Sequence, residues 1–299
     1  MMHVRSVASR AGALPHLSQA RLPMTCPITA VDENGQPREL SIPVERPLTL
    51  YVDKRELVTL MTLGARPEWL ALGYLHNQGL IASAQEVQSI TVDWEVGAAA
   101  VKTHRGISNL DEKTAHRVVT TGCGQGSVFG SLMEGVAQMQ LPPDACITQQ
   151  QVHSLVNTIR LTDSTYKLAG SVHSCALFSL ASQEPDMLVF VEDVGRHNAL
   201  DTIAGWSLLH EATAPLALYT TGRLTSEMII KSAQMRAPFA ISRSGITQMG
   251  HQVAQQVGLC TIGRATHNRF LCFSHPERLR MDPRDRAQGS AAAGGLAVT

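Results

Sequence analysis

The sequence predicts an α/β protein: a layered domain over residues 116–280 behind a smaller mixed domain over residues 27–115. Three observations predict it. From residue 172 onward, short apolar runs alternate with stretches of helical length, the pattern of strands separated by crossover helices. The runs at 187–192, 216–221, 239–242 and 260–263 each lead into a polar turn that carries an arginine. A chain of 299 residues, 44% of them hydrophobic, also has enough apolar surface for two cores. A largely parallel sheet follows from the alternation, and the carboxyl ends of such strands border the binding crevice. The polar turns are therefore expected along one edge.

Residues 1–26 hold Arg5, Arg10 and Arg21, with no acidic residue before Asp32 and no apolar run of signal-peptide character. They are expected to form a flexible extension. Between 28 and 103, short strand-like runs flank one helix at 67–78, with Pro67 in its first turn, Gly79 at its stop and a face of Trp69, Leu72 and Leu75. Asp32-Glu33-Asn34-Gly35 marks a turn. Residues 127–139 read as a helix broken by Pro142-Pro143. Thr148 with Gln151 forms a capping box for the next helix, whose apolar face is Val152, Leu155, Val156 and Ile159. Strands at 172–180, 187–192, 216–221, 239–242, 260–263 and 270–273 and helices at 198–210, 225–235 and 247–257 follow, the last closed by Gly258. Residues 281–299, rich in Ala and Gly, read as a flexible tail.

The segment VVTTGCGQGS (118–127) carries the most pointed chemistry. An apolar run enters a turn in which Gly122, Gly124 and Gly126 surround Cys123. A helix starting directly after such a turn would favour the thiolate, the form that attacks sulfur. A buried core cysteine is the plain alternative, but the glycines offer little apolar cover.

Lys plus Arg and Asp plus Glu both count 25, so nothing draws the chain in bulk to nucleic acid or to an anionic membrane. No apolar stretch is long enough to span a bilayer. The six cysteines (Cys26, Cys123, Cys146, Cys175, Cys260, Cys272) contain no C-x-x-C, so neither a disulfide framework nor a zinc knuckle is indicated. A soluble protein of a reducing, cytoplasmic compartment is expected, with Cys175, Cys260 and Cys272 in the core.

Four turns bear arginine. The first holds Asp193, Arg196, His197 and Asn198, with Asp201 one helical turn on. Asn198 reads as an N-cap and Asp201 as an acid favoured by the helix dipole. Asp193, Arg196 and His197 have no such plain role; a guanidinium grips phosphate and a carboxylate can accept from a guanine edge. The second turn holds Gly222, Arg223, Thr225 and Ser226, the third Ser242, Arg243 and Ser244. The fourth runs Arg264, Ala265, Thr266, His267, Asn268, Arg269. Together they predict a pocket for a large phosphate-bearing ligand.

VEDVGRHNALD (191–201), TGRLTSEM (221–228), TTGCG (120–124) and FSHPERL (273–279) resemble, in order and spacing, the formate dehydrogenase accessory protein family FdhD/NarQ over residues 27–279. The resemblance implies a cytidine-deaminase-like layered C-terminal domain with a smaller mixed N-terminal domain, usually as a homodimer. It implies a sulfurtransferase: a cysteine desulfurase loads sulfur as a persulfide onto Cys123. That sulfur then passes to the molybdenum or tungsten of a bis-molybdopterin guanine dinucleotide cofactor, carried as cargo for the formate dehydrogenase catalytic subunit. No resident metal is implied. Asp193, Arg196, His197, Asn198, Gly222, Arg223 and Ser226 match family motifs at the guanine dinucleotide pocket, and 264–269 aligns with the segment associated with the molybdenum cofactor. One departure stands out. Many members carry C-G-x-C where this chain has Cys123-Gly124-Gln125-Gly126, so a disulfide within that loop cannot release the sulfur. Cys146 or Cys175 could serve only if the fold brings one close.

Two other readings compete. A non-catalytic guanine-nucleotide or molybdenum-cofactor chaperone needs the pocket but not the thiol. A zinc nucleoside deaminase is suggested by His275-Pro276-Glu277, but the P-C-x-x-C that completes such a site is missing.

Overall fold

The computed structural model of the protein describes residues 12–107, 118–119, 126–127, 135, 139, 141–212 and 215–282. These residues form a mixed α/β fold built on a five-stranded and a six-stranded sheet. The first part of the chain supplies β1 (His16–Leu17), β2 (Thr25–Val31), β3 (Pro37–Pro43), β4 (Arg46–Val52), β5 (Arg55–Thr62), helix α1 (Pro67–Asn77), β6 (Val87–Asp93) and β7 (Ala98–Thr103). The five-stranded sheet has the order β1-β6-β7-β4-β5, with β2 and β3 paired separately as a hairpin. The Asp32 carboxylate accepts from the backbone N–H groups of Asn34 and Gln36, which closes the expected turn between them.

Residues 12–26, expected as part of a flexible extension, are instead docked on the fold. β1 pairs in parallel with β6, and Leu14, Leu17 and Ala20 pack against the core of the sheet. Glu68, itself buried, accepts from Ser18 Oγ at 2.7 Å and from the Ala20 N–H at 2.6 Å. That acceptor lies 50 residues beyond Ser18, so nothing local in the sequence announces the docking. Helix α1 also departs from a one-faced amphipath. Leu70, Leu72, Tyr74 and Leu75 are all buried, while Trp69 is half-buried under the Arg66 guanidinium, 4.5 Å from its ring centroid. A helix apolar on all sides is one enclosed by the protein.

The second part supplies the short strands β8 (Val118–Val119), β9 (Gly126–Ser127) and β10 (Ile147–Thr148). Then come α2 (Gln149–Leu161), α3 (Thr165–Ala169), β11 (His173–Ser179), β12 (Asp186–Asp193), α4 (Arg196–Leu209), β13 (Leu216–Thr220) and α5 (Ser226–Gln234). β14 (Phe239–Ser242), α6 (Gln248–Val257), β15 (Cys260–Thr266), β16 (Arg269–Ser274) and β17 (Leu279–Arg280) complete it. The capping box of α2 forms as expected, Thr148 accepting from the Gln151 N–H at 3.1 Å and Gln151 Oε1 from the Thr148 N–H at 3.0 Å. Gly258 ends α6 at φ +72°, in the left-handed region.

The six-stranded sheet has the order β12-β11-β13-β14-β15-β16. It is mixed, which corrects the expectation of a largely parallel sheet: β13, β14 and β15 are parallel, but β11 runs against both its neighbours and β16 against β15. The cause is connection length. The links from β11 to β12 and from β15 to β16 are too short for a crossover, whereas helices join β12 to β13, β13 to β14 and β14 to β15. Since β12 and β13 both oppose β11, strands β12 to β15 nonetheless share one direction. Helix α2 covers one face, through Val152, Leu155 and Val156, and α4, α5 and α6 cover the other.

Helices α1 and α4 cross at two glycines. A Cβ on Gly73 would lie 1.7 Å from the Asp201 carbonyl oxygen, and one on Gly205 would lie 1.9 Å from that of Trp69. Leu208 and Leu209 of α4 belong to the core of the first sheet, while Leu200 and Ile203 belong to that of the second.

Candidate functional site

The common direction of β12 to β15 places Asp193, Thr220, Ser242 and Thr266 at one edge of the sheet, where the expected polar turns begin. Their hydrogen bonds join them. The Ser242 hydroxyl donates to the Gly222 carbonyl at 2.6 Å and accepts from the Ser244 N–H at 2.9 Å. The Arg243 N–H donates to the Thr220 carbonyl at 3.1 Å, and the Arg264 N–H to the Ser244 carbonyl at 2.7 Å. Second, third and fourth turns thus form one surface.

A cavity of about 290 Å³ opens there. Phe190, Tyr219, Val156 and Ile159 make its apolar walls, and Thr221, Arg243, Ala265, Thr266 and His267 reach it from the strand ends. Arg160, Ser164, Tyr166 and Lys167 reach it from α2, α3 and the link between them. Burial pushes the Tyr219 phenol up to about 12, so it is protonated at neutral pH. A second cavity, about 570 Å³, lies beside it and shares Thr266; Arg264, Asn268 and Arg269 line it with Gln149 and His153. The fourth turn therefore faces both.

The first turn is built differently. Asp193 is buried, its carboxylate accepting from the Thr62 hydroxyl and the Leu63 N–H of the first part, and from the Gly195 N–H and Asn198 Nδ2. Asn198 Nδ2 also donates to the Met61 carbonyl at 2.6 Å. Burial raises Asp193 to about 6, against the pull of those hydrogen bonds. Asn198 is not the N-cap; Gly195 holds that position, and Asn198 sits inside the first turn of α4. Asp201, expected as an acid favoured by the helix dipole, lies beyond the first turn of α4 and is wholly buried. Lys231 Nζ lies 2.9 Å from its Oδ1 and 3.1 Å from Glu227 Oε1, and Asn77 Nδ2 donates to Asp201 Oδ1 at 2.7 Å. Burial alone would lower the Lys231 ammonium, but Asp201 and Glu227 outweigh it and its pKa is raised. His197, also buried, has Nδ1 3.4 Å from Glu227 Oε1; burial, helped by Lys231, lowers it to about 3, so the ring is neutral.

Asp193, His197 and Asn198 line neither of the two cavities; they lie beneath the edge. Arg196 is also buried and packs against Gly222, where a Cβ would meet its Cδ at 2.6 Å. Arg223 is exposed and Ser226 half-buried, and neither lines the two cavities. The site gains residues that the turn pattern missed: Arg160, Tyr166 and Lys167. The Glu192 carboxylate holds their support, accepting from the Thr165 and Tyr166 N–H groups at the start of α3 and from the Ser174 hydroxyl. An acid at the end of an apolar strand was the visible trace of it.

Cys123 and the expected helix at 127–139 fall largely outside the described residues. The flanking pieces are described: β8 and β9 pair antiparallel, Val118 opposite Ser127 and Val119 opposite Gly126. Ser127 therefore lies in a strand, which corrects the expected helix start. Of the two cysteines considered as substitutes, Cys175 is sealed, its thiol pushed up to about 12 by burial and its sulfur 3.3 Å from Thr220 Oγ1. Cys146 is half-buried and donates to the Asp144 carbonyl at 3.6 Å. His275 is occupied by Glu277, at 2.8 Å, and by the Gln255 carbonyl. Among the described residues, no three His, Cys, Asp or Glu side chains are grouped to hold a metal ion, and no helix is long and apolar enough to cross a membrane.

A profile of the FdhD/NarQ family matches residues 43–280. The chain is 30% identical over 244 residues to the sulfur carrier protein FdhD of Bacillus subtilis, covering 79% of this chain and 89% of that one. It is 26% identical over 236 residues to the protein of the same name from Staphylococcus aureus, covering 79% and 88%. A crystal structure from Desulfotalea psychrophila, assigned as a formate dehydrogenase accessory protein, superposes with a TM-score of 0.68 at 25% identity. It covers 86% of this chain and all of its own.

Proposed function

The chain belongs to the FdhD/NarQ family, and on that premise we propose that it is a sulfur carrier for formate dehydrogenase maturation, acting through a persulfide on Cys123. The thiolate attacks the terminal sulfur of a desulfurase persulfide; the donor's S–S bond breaks, its cysteine leaves as thiolate, and the new S–S bond forms on Cys123. The Cys123 S–S bond then breaks and the terminal sulfur passes to the metal of a bis-molybdopterin guanine dinucleotide, the cargo: with the electron pair from that metal Cys123 leaves as thiolate, and with an outside thiol attacking Cys123 Sγ the sulfur leaves as hydrosulfide and a mixed disulfide remains. With Gly126 in place of a second loop cysteine, release does not pass through a loop disulfide.

The observation that carries the nucleotide half of this reading is the convergence of the strand-end turns on one edge, around an apolar slot with a basic rim. About 290 Å³ is the low end of ligand pockets, enough for one nucleotide end of the cargo but not for all of it. The slot's aromatic walls suit a planar base, and Arg160, Lys167 and Arg243 suit its phosphates. The adjoining cavity under 264–269 gives the ligand room to continue toward the metal end. Arg196 and the buried residues around it support this edge from below. The three-layer arrangement, with one antiparallel strand inside a set of four co-directed ones, supports a cytidine-deaminase-like layering. Desulfurase, formate dehydrogenase catalytic subunit and a second copy of this chain are the partners this function calls for, in the cytoplasm.

Two measurements test the proposal. After incubation with a cysteine desulfurase and cysteine, mass spectrometry should find one added sulfur on Cys123, absent in Cys123→Ala; sulfur transfer undiminished in that variant would leave a non-catalytic chaperone as the reading. Guanosine diphosphate binding, followed by calorimetry, should weaken about tenfold in Arg243→Ala, as the loss of one charge-assisted contact predicts. Unchanged affinity there would remove the nucleotide from this cavity.

A further inference from the structure

A second thiol chemistry sits at the base of the hairpin that carries the fourth turn. Cys260 Sγ lies 3.9 Å from Cys272 Sγ, across β15 and β16. Both side chains face the α2 layer, where Cys260 is fully buried and Cys272 is half-buried. The ladder between these strands is irregular at two places, between Thr261 and Ile262 and between Gly263 and Thr266. Thr261 pairs with Ser274 and Ile262 with Cys272, so Phe273 is left over as a bulge next to the thiols. Bonded sulfurs sit about 2 Å apart, and a bulged ladder can supply the small approach that a regular one resists.

We propose that Cys260 and Cys272 form a reversible disulfide when the protein meets a hydroperoxide, stapling β15 to β16 at the base of the turn that lines both cavities. The accessible partner reacts first. Cys272 thiolate attacks a peroxide oxygen, the O–O bond breaks, and the sulfur becomes sulfenic acid as hydroxide leaves and takes up a proton as water. Cys260 then attacks that sulfur; the S–O bond breaks, a second water leaves with the Cys260 proton, and the S–S bond closes. Two thiols have given two electrons to one peroxide. The division of labour has a physical basis: Cys260 is sealed and Cys272 half-buried, and the contact between them holds the Cys272 thiol below its ordinary range while Cys260 is raised. A half-buried, acidified thiol beside a sealed resolving thiol is the arrangement of a redox-sensitive pair. None of this depends on sulfur being carried by Cys123.

The test uses the reduced full chain, treated with hydrogen peroxide, blocked with N-ethylmaleimide and digested without reductant. Mass spectrometry should find a peptide pair joining Cys260 to Cys272, lighter by two hydrogens than the reduced pair and released by dithiothreitol. In Cys260→Ser, Cys272 should be trapped by dimedone as sulfenic acid and proceed to sulfinic acid. In Cys272→Ser, Cys260 should stay reduced. Amide exchange across residues 264–269 should slow in the oxidised protein. Failure of the joined peptide under conditions that oxidise the other cysteines would overturn the pairing, and unaltered exchange would overturn the stapling of the turn.

Discussion

Replacing Lys231 by methionine removes an ammonium that lies against two buried carboxylates. The side chain is nearly volume-neutral in its stem, so little packing is lost. What is lost is the ammonium 2.9 Å from Asp201 and 3.1 Å from Glu227. Lys231 is 1% exposed, Asp201 0% and Glu227 5%, so water cannot step in. Removing one partner of a buried pair costs about 3–5 kcal/mol, because the remaining charge is left uncompensated. Here one cation serves two acids, which places Lys231→Met toward the upper end, a loss of more than a hundredfold in the folded-to-unfolded ratio at about 1.4 kcal/mol per tenfold. The loss should depend on pH with a definite sign. Without Lys231 the acids, and His197 beside Glu227, relieve the strain by binding protons, so their folded pKa values rise. The folded variant then holds more protons, and its stability falls as pH rises. Urea denaturation at about pH 5.5 and about pH 8 should therefore show a larger deficit at the higher pH. A deficit under about 1 kcal/mol, or one equal at both values, would refute the account of Lys231 as the cluster's counter-ion.

Three further outcomes follow from other contacts. Gly205→Ala sets a methyl against the Trp69 carbonyl at the α1–α4 crossing; because backbone cannot rotate away, a loss of about 3 kcal/mol or more is expected in chemical denaturation. His197 is held at about 3 against an ordinary 6.5, so it contributes stability that is present above pH 6.5 and is lost as pH falls toward 3. His197→Gln should accordingly lose less stability than the parent on acidification from about pH 7 to about pH 5, measured by thermal melting. Arg160→Ala removes a cation from the slot's helix side and should weaken guanosine diphosphate binding by several-fold without moving the melting temperature, since exposed charges contribute little to stability.

The sheet strands, the three C-terminal crossover helices and the turns were legible because each is announced within its own few residues. Thr148 and Gln151 spell a capping box, Gly258 a left-handed stop, and the arginines follow apolar runs whose common direction brings them together. What stayed hidden depends on partners far along the chain. Nothing near His16 says that Glu68 will hold the neighbouring backbone, and nothing near Asn198 says that Met61 and Asp193 will claim its amide. Polar side chains in a turn usually meet water, but residues 61–63 cover Asp193 and Asn198, and Glu227 faces the buried His197. Arg160 and Lys167 were passed over because a charge on a helix is ordinarily a solvated one, and only the fold shows that α2 and α3 overhang the slot.

Helix α4 contributes Leu208 and Leu209 to one core and Leu200 and Ile203 to the other, and it is pinned to α1 at the crossing glycines. Among the described residues, that helix leaves no clean seam between the two cores. Expressed by itself, either half would present to water the flank that the shared helix ordinarily hides, so neither is expected to stand as an independent fragment. A substitution that parts α1 from α4 at that crossing therefore disturbs both cores at once.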